Sequence, residues 1–307
     1  MKSKSNQIAK YNLDASFHRV HKEQTDIGNF GLDNSSQLIC SGYGLYSSAG
    51  LKQKIGPIKS EFFRIGFVLA GTVDIRCGLE LFHLGAGSIA FTFPGQVFSL
   101  ENKSEDLFVY YMLFTEEFIA DALSLVNIRN KFKFLDYSGR QCFKTAPEDA
   151  DEIEQIIHKI DREIKVNRPD LNEFIQLHIH LLLLQANRSY KITGNPESSI
   201  KTPANTLTGR FKKLVSQNFI TLRKVTDYAS LMHISANHLN KTIKKETDNT
   251  AHELIEEMLL LEAKALILHT DFTIAEIAYQ LNFSDPSHFN KFFKKQTGKT
   301  PLQFRNP

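Results

Sequence analysis

The sequence predicts an α+β chain: an N-terminal small β-barrel or sandwich followed by a helical hairpin, then an all-α domain of two helix-turn-helix units joined by a linker helix. Three observations carry this expectation. From about Gln37 to Tyr111 the chain is rich in β-branched and aromatic residues and is cut by glycine-bearing turns. After Thr115 apolar residues recur at spacings of three and four. Finally, HLNKTIKKETDNT, His238 to Thr250, returns as HFNKFFKKQTGKT, His288 to Thr300, with seven of thirteen positions identical.

Composition sets the bounds. At 307 residues and 42% hydrophobic the chain can bury sizeable cores, and its length favours two domains. The net charge of +3 does not by itself point to nucleic acid, but its placement is uneven: Ala204 to Pro307 holds 14 Lys+Arg against 10 Asp+Glu, the rest 23 against 24. Cys40, Cys77 and Cys142 lie far apart with no C-x-x-C and no matching histidine spacing, so neither a disulfide framework nor a zinc site is expected. The first residues include basic ones but no apolar run, and the most apolar helical stretch, His178 to Ala186, is too short to cross a bilayer. A soluble, cytoplasmic protein without membrane contact is expected.

Taken in order, EFFRIGFVLAGTVDIRCGLELFHLGAGSIAFTFPGQVFSL reads as short strands, with turns at Ala70-Gly71-Thr72, Gly85-Ala86-Gly87 and Pro94-Gly95-Gln96. Asp149 to Val166 then places Ile153, Ile156, Ile157, Ile160 and Ile164 on one helical face. Arg168-Pro169-Asp170 breaks that helix, and a second runs from Leu171 to Arg188, so the two form an antiparallel hairpin through which the chain is expected to dimerise. Lys191 to Asn205 is polar, carries two prolines and lacks periodicity, which makes it the linker. The expected units are therefore 1–190, 191–205 and 206–307.

Beyond the linker the helix starts are legible. Thr250/Glu253, Thr273/Glu276 and Thr300/Gln303 are capping boxes, and Asp285-Pro286 is an N-cap with proline at the first helical position. Val225, Tyr228 and Ala229 belong to a short helix, Met232-His233-Ile234 to a turn, and Leu239 and Ile243 to the inner stripe of a second helix. Ile274, Ile277 and Ala278, then Leu281-Asn282-Phe283, then Phe289 and Phe293 repeat that layout. Ala229 or Ala278 lets two helices approach closely, and Ile234 or Phe283 plugs the corner between them.

Asn240-Lys241 and Asn290-Lys291 project from the outer face of each second helix, and Lys244 and Lys294 follow one turn on. Asparagine suits adenine, lysine suits guanine in the major groove, and the distal lysines suit phosphate; the bland alternative is a solvated helix face. Between the units, Ala251 to His269 forms an unbroken helix about 28 Å long at ~1.5 Å per residue. Such a rod can hold two recognition helices about one DNA turn apart, ~34 Å.

These residues closely resemble the C-terminal DNA-binding domain of AraC/XylS-type transcriptional regulators, over about Leu207 to Arg305, and most specifically over EIAYQLNFSDPSHFNKFFKKQTGKTPLQFR. The resemblance implies base-facing roles for Asn237, Asn240 and Lys241 in the first unit and for Ser287, Asn290 and Lys291 in the second, while for His238 and His288 it leaves two roles open, base contact or capping and packing of their helices. Two positions depart from the family: Asp248 replaces the usual glycine at a helix exit, and Ile243 stands where an aromatic is common. The N-terminal region, through FRIGFVLAGTVDI and HLGAGSIAFTFPGQVFSL, is similar to the cupin-like sensor domain that precedes such modules. This implies a regulator, an activator, whose partners are duplex DNA, a small effector and RNA polymerase, with homodimer formation and no cofactor. No H-x-H pair lies in the strand region, so no metal is expected, and Tyr43, Arg64 and His83 are the candidate effector contacts. The competing reading is a metal-free cupin-type enzyme fused to a DNA-binding module; a constitutive architectural DNA binder is a third.

Overall fold

In the computed structural model, residues 42–59, 61–120, 128, 130–137, 139–194 and 206–306 are described. Cys40, the start of the strand region at Gln37 and most of the expected linker lie outside them.

Among the described residues nine antiparallel strands form two facing sheets. One carries β1 (Tyr43–Ser47), β8 (Phe108–Phe114), β3 (Phe63–Ala70), β6 (Ser88–Thr92) and β9 (Cys142–Lys144) in that order; the other carries β2 (Ile55–Lys59), β7 (Val97–Glu101), β4 (Thr72–Cys77) and β5 (Glu80–Gly85). Of the two expected forms, barrel or sandwich, this is the sandwich, and the closed barrel that the cupin resemblance implies is not formed: the strands pair within two sheets and not around one ring. The three expected turns are present, with Gly71, Gly87 and Gly95 at positive φ.

Alternation along each strand separates two apolar layers. Val68, Val73, Ile75, Phe82, Leu84, Phe98, Leu100 and Val109 fill the space between the sheets. Phe63, Ile65, Phe67, Ile89, Phe91, Met112 and Phe114 point the other way, onto the helices. Those helices are α2 (Pro147–Val166) and α3 (Leu171–Ser189), which follow the short α1 (Glu116–Ala120) and pack as the expected hairpin. Asn167 ends α2 in the left-handed conformation. The isoleucine stripe of α2 is consumed in this intramolecular core, with Ile153 and Ile160 at zero exposure. It therefore cannot be the dimerisation face; the exposed apolar residues of the hairpin are Leu177 and Leu181 on α3 and Val166 at the end of α2.

From Leu207 on the chain is helical: α4 (Leu207–Asn218), α5 (Val225–Leu231), α6 (Ala236–Thr247), α7 (Ala251–His269), α8 (Ile274–Gln280), α9 (Pro286–Thr297) and α10 (Pro301–Arg305). All three capping boxes form, and Asp285 caps α9 as expected. Asp248 and Gly298 both take the left-handed conformation at the two equivalent exits, φ 58° and 76°, so the aspartate sustains the turn.

The two halves share an interface. Leu79, at the tip of the β4–β5 hairpin, and Val97 join the helical core, while Gly78 approaches Ser216 of α4 and Met258 of α7. A Lys59 to Glu262 ion pair at 2.6 Å ties β2 to α7, with Arg76–Glu257 and Lys212–Glu80 outside it.

Candidate nucleic-acid interface

The two helix-turn-helix units have the same hydrogen bonds at the same places. The Ile234 amide donates to the Ala229 carbonyl and the Phe283 amide to the Ala278 carbonyl, both at 3.0 Å. His233 and Asn282 each adopt positive φ, 56° and 57°, in the turn. Ala229 and Ala278 are buried at the close approach, and Leu239, Ile243, Phe289 and Phe293 are fully buried beneath the second helices. Burial of that stripe fixes which face of α6 and α9 is left to solvent.

On that face Asn237, Lys241, Lys244, Ser287, Asn290, Lys291 and Lys294 are exposed, as are Lys245 and Lys295. Asn240 is half-buried and its Oδ1 accepts from the Ala251 amide at 3.3 Å, so it pins α6 to the start of the linker helix. Its counterpart Asn290 stands exposed. Lys244 donates to the Asp248 carbonyl at the end of its own helix. Ser287 and His288 both donate backbone N–H groups to Asp285 Oδ1, at 2.7 and 3.2 Å, which holds the Asp285 carboxyl below its ordinary value. His288 is also bonded to Ser284 at 2.8 Å, in agreement with a capping role.

The relative position of the units is fixed by contacts that sequence reasoning missed. Arg223, between α4 and α5, donates to the Leu281 carbonyl and lies 5.1 Å from the Phe283 ring, inside the turn of the other unit. Asn282 returns a bond to the Ile220 carbonyl at 3.3 Å, and Gln296 of α9 donates to Glu256 of α7 at 2.9 Å. Arg305 donates to the Ile267 and Phe272 carbonyls at the far end of α7. Side chains that each bond across elements hold two surface helices more stiffly than a bare linker would. A positive charge near Leu222 to Lys224 gave no signal of this in the sequence.

The sensor-side candidates do not come together. Tyr43 is buried on the helix-facing side of β1, its ring 4.8 Å from Phe118. His83 is exposed on β5 and pairs with Asp74 at 2.6 Å, where the Asn102 amide and His83 hold the Asp74 carboxyl below its usual range. Arg64 alone points between the sheets, its guanidinium 4.2 Å from the Phe98 ring. Among the described residues no group of three or more His, Cys, Asp or Glu could hold a metal ion, and no helix is long and apolar enough to cross a membrane.

Two family models match: an AraC-like ligand binding domain over residues 47–183 and a helix-turn-helix domain over 228–307. The chain is 27% identical over 136 residues to the Msm operon regulatory protein of Streptococcus mutans, 44% of this chain and 48% of the relative. It is 27% identical over 153 residues to the transcriptional activator RhaR of Escherichia coli K12, 50% of this chain and 53% of that one. These matches thus span about half the length of each curated relative. Among solved structures, ToxT of Vibrio cholerae O395 aligns at 15% identity and TM-score 0.40, covering 86% of this chain and 97% of ToxT. The C-terminal domain of AraT, a response regulator from Geobacillus stearothermophilus, aligns at 24% identity and TM-score 0.32, covering 34% and 88%.

Proposed function

From the premise that the chain belongs to the AraC-type family, we infer that it is a sequence-specific DNA-binding transcription regulator, an activator, controlled by a small effector acting on the N-terminal domain. The observation that supports this best is the pair of identically built helix-turn-helix units, each presenting an exposed lysine-bearing face, held to one linker helix by Asn240 and Gln296 and to each other by Arg223. The sensor half docks on α4 and α7 and leaves the exposed faces of α6 and α9 free. A docked regulator can then meet DNA without first undocking. In this reading Asn237, Lys241, Ser287, Asn290 and Lys291 face bases and Lys244 and Lys294 meet phosphate, while Asn240 contributes through position.

The division into 1–190, 191–205 and 206–307 belongs to the same reading, as does a homodimer formed through exposed Leu177 and Leu181 of α3 and contact with RNA polymerase at a promoter. The relatives are named as regulators, which supports reading this chain as a binding protein in preference to an enzyme. The test is binding of the full chain to a selected duplex at two salt concentrations. Neutralising several phosphates must give a steep fall in affinity with added salt. Lys291→Ala should cost roughly 1–3 kcal/mol on the selected site and little on a scrambled one. Binding indifferent to salt and sequence removes the reading; equal losses on both sites reduce Lys291 to a phosphate contact.

A further inference from the structure

The space between the two sheets is apolar except toward one end. On β3 the inward positions are Arg64, Gly66 and Val68, because Phe63, Ile65 and Phe67 belong to the layer under the helices. Register sets Thr92 of β6 beside Arg64 and Tyr111 of β8 beside Gly66. The Arg64 guanidinium lies 4.2 Å from the Phe98 ring of the opposite sheet and 5.5 Å from Phe62, and one nitrogen donates to Thr92 Oγ1 at 3.3 Å. Among the described residues that is one hydrogen bond for a group with five N–H donors. Among the described residues no carboxylate forms an ion pair with it; the groups that act on its charge are Tyr111 and Cys77.

A cation enclosed without a counter-charge is unfavourable. Burial lowers the Arg64 guanidinium to about 10, which still leaves it charged at neutral pH. There is also room beside it. A Cβ added at Gly66 would meet one atom within 4 Å, Val109 Cγ1 at 3.8 Å, although protein interiors are close-packed. Arg64, Gly66 and Tyr111 sit on adjacent inner strands of a five-stranded sheet covered by a second sheet, yet each keeps accessible surface. Enclosure on most sides with an opening on one is a cleft, and its walls are Phe98, Phe62, Tyr111 and Val109.

We propose that this cleft binds a small organic anion, a carboxylate on an aromatic or short apolar body, with the Arg64 guanidinium gripping the carboxylate and the rings flanking the body. A planar fork of donors matches a carboxylate bidentately, and Thr92 fixes the orientation of that fork. The assignment rests on the reading of the N-terminal domain as the effector-sensing half. The site also lies close to the docking contact: Phe98 pairs across β7 and β2 with Ile58, and the next residue, Lys59, holds Glu262 of the linker helix.

The experiment measures melting temperatures of the full chain with benzoate and hexanoate, with benzyl alcohol and hexanol as uncharged counterparts, and with inorganic phosphate. Near saturation at least one carboxylate should raise the wild-type melting temperature by about 5 °C or more. The alcohols and phosphate should give little. Arg64→Met, which keeps an unbranched apolar stem, should abolish the shift and, without ligand, melt no lower than wild type. Arg64→Lys, which keeps the charge but loses the fork, should bind at least tenfold more weakly. No shift from either carboxylate, a shift of equal size from its alcohol or from phosphate, an unchanged response in Arg64→Lys, or a ligand-free Arg64→Met that melts several degrees lower each overturns the proposal. DNA binding by the same samples separates the two readings. Intact DNA binding without a carboxylate response sinks the ligand assignment alone, and a carboxylate response without DNA binding sinks the regulator reading alone.

Discussion

Replacing Lys59 by methionine should loosen the whole interface between the sensing half and the linker helix. The Lys59 ammonium and Glu262 carboxylate meet at 2.6 Å with side-chain exposures of 15% and 4%. At an effective dielectric of ~20 that separation gives about 6 kcal/mol of attraction, against a desolvation penalty of several kcal/mol for each ion. The pair is therefore close to neutral against a well-packed apolar pair. Breaking it is another matter. Glu262 Oε2 is already buried without a hydrogen-bond partner among the described residues, so Lys59→Met strands both oxygens of a buried carboxylate. The expected loss is roughly 3–5 kcal/mol. The double variant Lys59→Met/Glu262→Leu should recover most of it. Urea unfolding of the wild type, both single variants and the double variant closes the cycle, and hydrogen exchange across Ala251–His269 shows whether the docked face of α7 opens. A loss below about 1 kcal/mol for Lys59→Met, or a double variant as weak as the two single losses added, refutes the reasoning.

Two further outcomes follow from the helical half. Arg223→Ala should leave each unit folded but lower affinity for a full two-part DNA site by about tenfold or more, because the bond to the Leu281 carbonyl and the contact with the Phe283 ring fix one unit against the other; equal affinity of variant and wild type in a titration contradicts this. Glu253, Glu276 and Asp285 are held below their ordinary values of 4.5, 4.5 and 3.8, first by the backbone N–H groups of Thr250, Thr273 and His288. Folded values below the unfolded ones mean that their stabilisation is present above about pH 4.5 and is lost as pH falls through the lowered folded values. Melting curves between pH 6 and pH 3 should show that loss, and Glu253→Gln/Glu276→Gln should flatten it. An unchanged slope contradicts the assignment.

The helical half was legible because its signals are local. A capping box spans four residues, and the Ala229 and Ala278 approaches lie within one turn of the residues that plug them. Even the departure at Asp248 was readable, since aspartate tolerates the left-handed backbone it adopts. What the sequence concealed is separated along the chain. Lys59 and Glu262 are 203 positions apart and Arg223 and Leu281 are 58 apart, and neither pairing leaves a periodic trace. Asn240 and Asn290 occupy matching positions in the repeat, yet only a tertiary bond to Ala251 tells the first from the second. β9 is three residues long, and the Gly78 turn carried no strong composition signal. In the sensing half, chemistry singled out Tyr43, Arg64 and His83 together, but strand alternation sends them to three different faces. The isoleucine stripe of α2 lies on one face, as its spacing predicts, and what it meets is this chain's own sheet.

Selection of bound duplexes from a random library by the full chain, followed by footprinting of the enriched sequence, bears most directly on the central claim. Two helix-turn-helix faces on one linker helix should enrich sites with two conserved parts about 10–10.5 base pairs apart, protected on one side of the duplex. Enrichment of a single short element, or protection on opposite sides of the duplex, would contradict it.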